Sequence, residues 1–90
     1  MKAHVFRGRR YRVRVVNRLK DHADTDAPDT PGKTIRLHSS LDGQQRLQVL
    51  LDEGIHACLF DLDNEVVQEI SEDLARFLWR DGWRRRSLER

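Results

Sequence analysis

Alternating apolar and polar residues near the start of the chain predict a β-hairpin. Within residues 5–15, Tyr11, Val13 and Val15 alternate with arginines, and Gly8 lies where a turn would connect two strands. A strand with a period of two has one apolar face and one charged face. We therefore expect this hairpin to turn its apolar face toward a core and its cationic face toward solvent.

A third strand is predicted after a polar segment. Residues 21–32 are rich in Asp and contain both prolines of the chain, with almost no apolar side chain, so we predict a mobile, solvated loop there. Residues 33–38 alternate again, with Ile35 and Leu37 on one face. This run predicts a strand that follows the loop.

Two consecutive helices are predicted in the second half of the chain. Asp42 and Gln45 have the spacing of a capping box, so the first helix should begin there and end near Phe60. Asp63 is the predicted N-cap of the second helix, which should end at Gly82. Apolar residues recur at helical spacing in both helices, and those expected to face inward in the second are Val66, Val67, Ile70, Leu74, Phe77 and Leu78.

These elements predict an α+β fold: a small antiparallel sheet of about three strands packed on two consecutive helices. Ninety residues are enough for a single domain, residues 1–90, and leave no room for a second core. The lone Cys58 cannot form an internal disulfide, no apolar run follows the first two residues, and no stretch is long enough to cross a membrane. We therefore expect a cytoplasmic protein that does not enter membranes.

The small positive net charge of +2 hides a basic, acidic, basic order along the chain. Two groups of arginines stand out: Arg10, Arg12 and Arg14 in the hairpin, and Arg84, Arg85 and Arg86 in a basic tail at 84–90. Such groups can bind the phosphates of a nucleic acid or acidic residues of a protein. The alternative is that they keep a surface solvated and pair with acids of the same chain.

Three residues of the first predicted helix could carry chemistry. Asp52 and His56 are four residues apart and therefore project from the same face of the helix. Glu53 is the next residue after Asp52 and lies within reach of the same pocket. This is the geometry of the zinc helix, in which two histidines bind the metal and a glutamate acts as general base on a metal-bound water. Here Asp52 stands in place of the first histidine.

The similarity to known zinc-helix proteins extends beyond these three residues. The strand at 33–38, the block Leu50–Cys58 with its Asp-Glu-Gly-Ile-His sequence, and the aromatic and basic ending at 74–84 resemble a group of very small bacterial and phage zincin-like proteins. The resemblance covers nearly the whole chain. It implies a minimal metallopeptidase fold with a degenerate His-Glu-x-x-His motif.

The resemblance also implies roles for individual residues. Glu53 matches the general base and His56 the second histidine ligand, while Asp52 would be a ligand with a different donor. Glu65 matches the third metal ligand, and Asp61 is the alternative for that role. The implied metal is zinc, which this oxygen-rich donor set would hold less selectively than two histidines.

The expected function is that of a zincin-like metallopeptidase homologue whose catalysis is impaired or lost through Asp52. A peptide or protein segment would lie in the cleft, along the strand at 33–38, as extended peptides bind to strand edges. Without metal, Asp52 and His56 would form a structural ion pair. The alternative function is a non-catalytic module that binds protein or nucleic acid through the two arginine groups.

Overall fold

Six elements follow one another in residues 2–86, the part of the chain that the computed structural model describes. They are β1 (Ala3–Phe6), β2 (Arg9–Val16), β3 (Ala23–Thr25), β4 (Thr34–His38), α1 (Gly43–Cys58) and α2 (Asn64–Arg80). The predicted α+β fold class is confirmed, with four strands in place of about three. The last four residues of the predicted basic tail, 87–90, lie outside the described residues.

A two-residue turn connects β1 to β2 and confirms the predicted hairpin. Arg7 and Gly8 have φ angles of 51° and 81°, and the strands on either side pair antiparallel from Phe6 and Arg9 onward. Positive φ at both turn residues matches the right-handed twist of the strands, and glycine adopts it without steric cost.

The sheet has the strand order β1-β2-β4-β3 and is mixed, which differs from the antiparallel sheet predicted. β1 and β2 are antiparallel, β2 and β4 are parallel, and β4 and β3 are antiparallel. Parallel neighbours require a long crossover connection, and residues 17–33 supply it here. Alternation along a sequence identifies strands but does not reveal their relative directions.

Strand β3 lies within residues 21–32, which the sequence pattern predicted as loop. Arg36 of β4 holds this short strand in place, with its guanidinium 2.8 Å from Asp24 and 3.0 Å from Asp26. The Oδ2 atom of Asp26 also accepts a hydrogen bond of 3.0 Å from the backbone N–H of Thr34. The aspartates that suggested a solvated loop therefore attach β3 to the sheet edge.

The main core lies between α1 and one face of the sheet. Tyr11 and Leu37 are fully buried there, Ile35 and Leu41 are nearly so, and Ala57 is the α1 residue buried against them. Complete burial of one large apolar side chain contributes roughly 1.5–3 kcal/mol. The opposite face of the sheet carries the exposed Arg10, Arg12 and Arg14 of β2, as the alternation predicted.

Helix α2 packs antiparallel on α1 through small residues. Val67, Ser71 and Ala75, spaced four apart, are fully buried, so this narrow face allows the two helices to approach closely. The larger apolar residues predicted to face inward lie on a neighbouring face and are 37% to 68% exposed: Val66, Ile70, Leu74 and Phe77. The prediction was wrong for these four because a 3.6-residue period does not determine which side of a broad apolar stripe meets the core.

No helix within residues 2–86 is long and apolar enough to cross a membrane.

Candidate functional site

Asp52 and His56 meet on α1, as their spacing predicts. His56 Nε2 lies 3.2 Å from Asp52 Oδ1, and both side chains are largely buried. Ser71 of α2 donates a longer hydrogen bond of 3.4 Å to the other oxygen of Asp52. The imidazole nitrogen that would face a metal ion in a zinc helix is therefore directed at the Asp52 carboxylate.

Glu53 is held on the neighbouring side of α1 by strand β3. Thr25 Oγ1 donates a hydrogen bond of 2.6 Å to Glu53 Oε1. Burial raises the pKa of Glu53 above its ordinary range, although the Thr25 hydrogen bond acts in the opposite direction. A buried carboxyl with a raised pKa is a feature of general acids and bases, and it also occurs in structural positions.

These residues form the floor of a cleft of about 550 Å³. Strand β3 provides one wall, and the beginning of α2 provides the other. The lining residues are Ala23, Thr25, Asp52, Glu53, His56, Phe60, Asn64 and Gln68. The cleft has acids and one histidine on its floor, a strand edge on one side and two amide side chains on the other.

The two candidates for a third metal ligand do not line this cleft. Glu65 is exposed in the first turn of α2, where its backbone N–H donates to the Asp63 carboxylate at 2.8 Å, and Asp61 is exposed in the connection between the helices. Asn64 and Gln68 occupy the facing positions instead. Successive helical residues point about 100° apart, so a helix that directs Asn64 at the cleft turns Glu65 away.

The donor set therefore does not fit a zinc ion. A protein zinc site needs at least three Cys, His or carboxylate ligands that converge on one point. Within residues 2–86, no group of three or more such side chains is arranged to hold a metal. Asp52 and His56 pair with each other, and Glu53 is hydrogen-bonded to Thr25.

The strand expected to bind peptide is also in a different position. β4 contains most of the predicted 33–38 run, but it is paired with β2 on one side and β3 on the other, so neither edge can accept a further strand. The cleft instead lies beside β3, the terminal strand of the sheet. Ala23 and Thr25 of this strand were not identified as site residues, because a three-residue strand is too short for a recognisable alternation.

The two arginine groups lie on different surfaces. Arg10, Arg12 and Arg14 are exposed on the sheet face opposite α1, and among the described residues no carboxylate lies within 4 Å of them. Arg84 and Arg85 lie where α2 ends beside the start of α1, and Arg86 is exposed nearby.

Comparisons with known proteins do not identify a family or a function for this chain. The chain matches no family model, no curated protein and no solved structure. The resemblance to zincin-like proteins therefore remains a prediction from the helix motif and its flanking segments.

Proposed function

We propose that this chain is a zincin-like homologue whose cleft binds an extended peptide or protein segment and has lost efficient hydrolysis. The observation that carries the proposal is the pairing of His56 Nε2 with Asp52 at the position where a zinc helix has its first histidine. An imidazole that bonds its neighbour on the helix is not directed at a shared metal ion.

The free edge of β3 supports peptide binding. His22 and Asp26, on either side of the strand, form backbone hydrogen bonds to β4, so the antiparallel pattern directs the backbone groups of Ala23 and Thr25 away from β4, at the free edge of the sheet. An extended peptide can add to such an edge through main-chain hydrogen bonds. The side-chain amides of Asn64 and Gln68 are across the cleft, where they could bond polar groups of the same peptide.

Zinc titration of paired variants tests the ancestry of the site. We expect weak, substoichiometric zinc binding by the natural chain and tighter binding by Asp52→His, which places two imidazoles four residues apart. The double variant Asp52→His/Asn64→Glu should bind more tightly still, because position 64 faces the cleft. Asp73→His, an exposed position on α2, is the control for a histidine added elsewhere. Equal zinc affinity in all four proteins would refute the zincin assignment.

Peptide binding is tested separately by selecting peptides from a displayed library on the natural chain. Ala23→Pro removes an N–H from the free edge of β3 without touching the Thr25 to Glu53 bond. We expect this variant to lose affinity for the selected peptides, while Val5→Pro on the distant strand β1 keeps it. Peptides that bind the Ala23→Pro protein equally well would show that the edge is not the docking site.

A second candidate function is supported by the row of arginines on β2. Arg36 on the adjacent strand is paired with two aspartates, whereas Arg10, Arg12 and Arg14 have no such partner among the described residues. Alternate residues of a strand are about 6.6 Å apart on one face, which gives a linear cationic row suited to a polyanion. If the row binds duplex nucleic acid, a plot of the logarithm of the association constant against the logarithm of the salt concentration has a negative slope. Each Arg→Gln change should reduce the magnitude of that slope by about one.

A further inference from the structure

A second cleft lies at the opposite end of the helix pair, where α1 begins and α2 ends. Its volume is about 570 Å³, and its walls combine leucines and both tryptophans of the chain with three arginines. The lining residues are Gly43, Arg46, Leu47, Leu50, Leu78, Trp79, Trp83, Arg84 and Arg85. Among the described residues, the charged side chains that line this cleft are all arginines, while the carboxylates of Asp42 and Asp81 adjoin it.

Arg46 is the cation set deepest in this cleft. Its Nε atom is buried and has no hydrogen-bond partner within the described part of the chain. Burial lowers the pKa of its guanidinium, and the positive charge of Arg85 lowers it further. Two like charges beside one cleft repel each other, and a buried donor without an acceptor is unfavourable, so both effects would be relieved by an anion placed between them.

The beginning of α1 adds to this positive potential. Asp42 is the N-cap residue, but its side chain forms no capping hydrogen bond, so it leaves the first N–H groups of the helix without that acceptor. The N-terminal end of a helix carries a partial positive charge that favours anions. Gly43, the first helical residue, lines the cleft and lies 3.8 Å from the Trp79 ring, measured from the position a Cβ would take.

The tryptophans provide a flat apolar surface next to these cations. Arg84 stacks 3.5 Å above the centre of the Trp79 ring and donates hydrogen bonds to the carbonyls of Trp79 and Trp83, so it is already engaged. Trp83 is 63% exposed, and its Nε1 donates to Asp81 at 3.1 Å, which fixes the ring orientation. Arg46 and Arg85 are thus the cations left for a ligand, with the Trp83 ring beside them.

We propose that this cleft binds a small organic phosphate with an aromatic body, in the class of nucleoside monophosphates. The phosphate would lie between Arg46 and Arg85 at the start of α1, and the base would stack on Trp83. Arginine and a helix N-terminus are both common phosphate ligands, and aromatic side chains stack on nucleic acid bases. This site is distinct from the Asp52 cleft and does not depend on the function proposed for it.

Intrinsic fluorescence of the full chain tests the proposal directly, because both tryptophans line the cleft. With excitation at wavelengths that adenine does not absorb, AMP should cause a saturable change in tryptophan emission. Inorganic phosphate and adenosine, each supplying one half of the ligand, should bind at least tenfold more weakly. Equal affinity for inorganic phosphate and AMP would overturn the aromatic part of the assignment, and no saturable response to AMP would overturn the whole.

Matched charge variants identify the site. Arg46→Gln and Arg85→Gln should each weaken AMP binding at least tenfold, while Arg18→Gln, which removes the same charge from the exposed segment after β2, should leave it unchanged. Arg85 is exposed, so its variant should fold normally even if Arg46→Gln is destabilised. Equal weakening by all three variants would mean nonspecific attraction and would refute the site. Tight binding of a fatty acid without binding of AMP would also refute it.

Discussion

Asp26 is the residue whose removal should most clearly loosen the wall of the Asp52 cleft. Its two carboxylate oxygens accept hydrogen bonds from the Arg36 guanidinium at 3.0 and 3.1 Å, and one of them also accepts from the Thr34 N–H. The hydrogen bond from Arg36 is the main reason that the pKa of Asp26 lies below its ordinary value. Asp26→Ala would remove all three bonds and leave Arg36 with Asp24 alone.

The expected loss follows from the strength of these bonds. A hydrogen bond to a charged group contributes about 1.5–3 kcal/mol when buried, and partial exposure of the Arg36 and Asp26 side chains reduces the total. We expect Asp26→Ala to lower the free energy of unfolding by about 2 kcal/mol, which corresponds to a Tm lower by roughly 8–16 °C in a domain of this size. Asp24→Ala is the matched control: Asp24 makes one bond to Arg36 and is 47% exposed, so its loss should be only about 0.5 kcal/mol.

Urea and thermal unfolding, followed by far-ultraviolet circular dichroism, measure both losses. Because the folded-state pKa of Asp26 is depressed, its contribution is fully present above the ordinary aspartate pKa of about 3.9 and is lost as the pH falls through the lower folded value. The difference between the natural chain and Asp26→Ala should therefore be constant between neutral pH and about 5 and shrink in stronger acid. Equal losses for Asp24→Ala and Asp26→Ala, or a difference that persists unchanged in strong acid, would contradict this account.

Three further predictions concern α1 and the core. Gly54→Ala should raise the free energy of unfolding by about 1 kcal/mol, because alanine favours the helix and its Cβ would lie 3.7 Å from the Phe6 ring, an ordinary contact; a lower Tm would show that this space is not available. Glu53→Gln should stabilise the protein above the raised folded pKa of Glu53, where the natural carboxylate is charged and buried, and this gain should disappear near pH 4; a gain independent of pH in urea titrations would point to another cause. Leu37→Ala should cost roughly 2–5 kcal/mol in the same measurement, since Leu37 is fully buried between α1 and the sheet, and a loss below 1 kcal/mol would place it outside the core.

Features that depend on neighbouring residues were predictable from the sequence. Arg7 and Gly8 form the hairpin turn, and the Asp63 carboxylate accepts from the Glu65 N–H as an N-cap should. Asp52 and His56 meet because a helix brings residues four apart together. Asp42 begins α1 as predicted, but without the capping hydrogen bond.

Features that depend on distant residues were not predictable in the same way. Strand β3 is stabilised by ion pairs from Asp24 and Asp26 to Arg36, which lies on another strand. The sequence of a polar segment rich in Asp and Pro does not indicate such a distant partner. The cleft wall formed by Asn64 and Gln68 depends on how α2 is rotated against α1, which small buried residues such as Ser71 determine. An error of one helical position was enough to exchange Glu65 for Asn64 in the site.

The strand order β1-β2-β4-β3 has a consequence for how the protein opens. β3 lies between β2 and β4 in the chain but at the margin of the sheet in space, so it can detach without separating the central parallel pair that carries Tyr11 and Leu37. Local opening reactions of this kind have a smaller free energy than global unfolding and are seen as fast amide hydrogen exchange. Amides of β3 should therefore exchange well before those of β4, and the cleft wall would be the least persistent part of the sheet, able to rearrange around an incoming chain while the core stays closed.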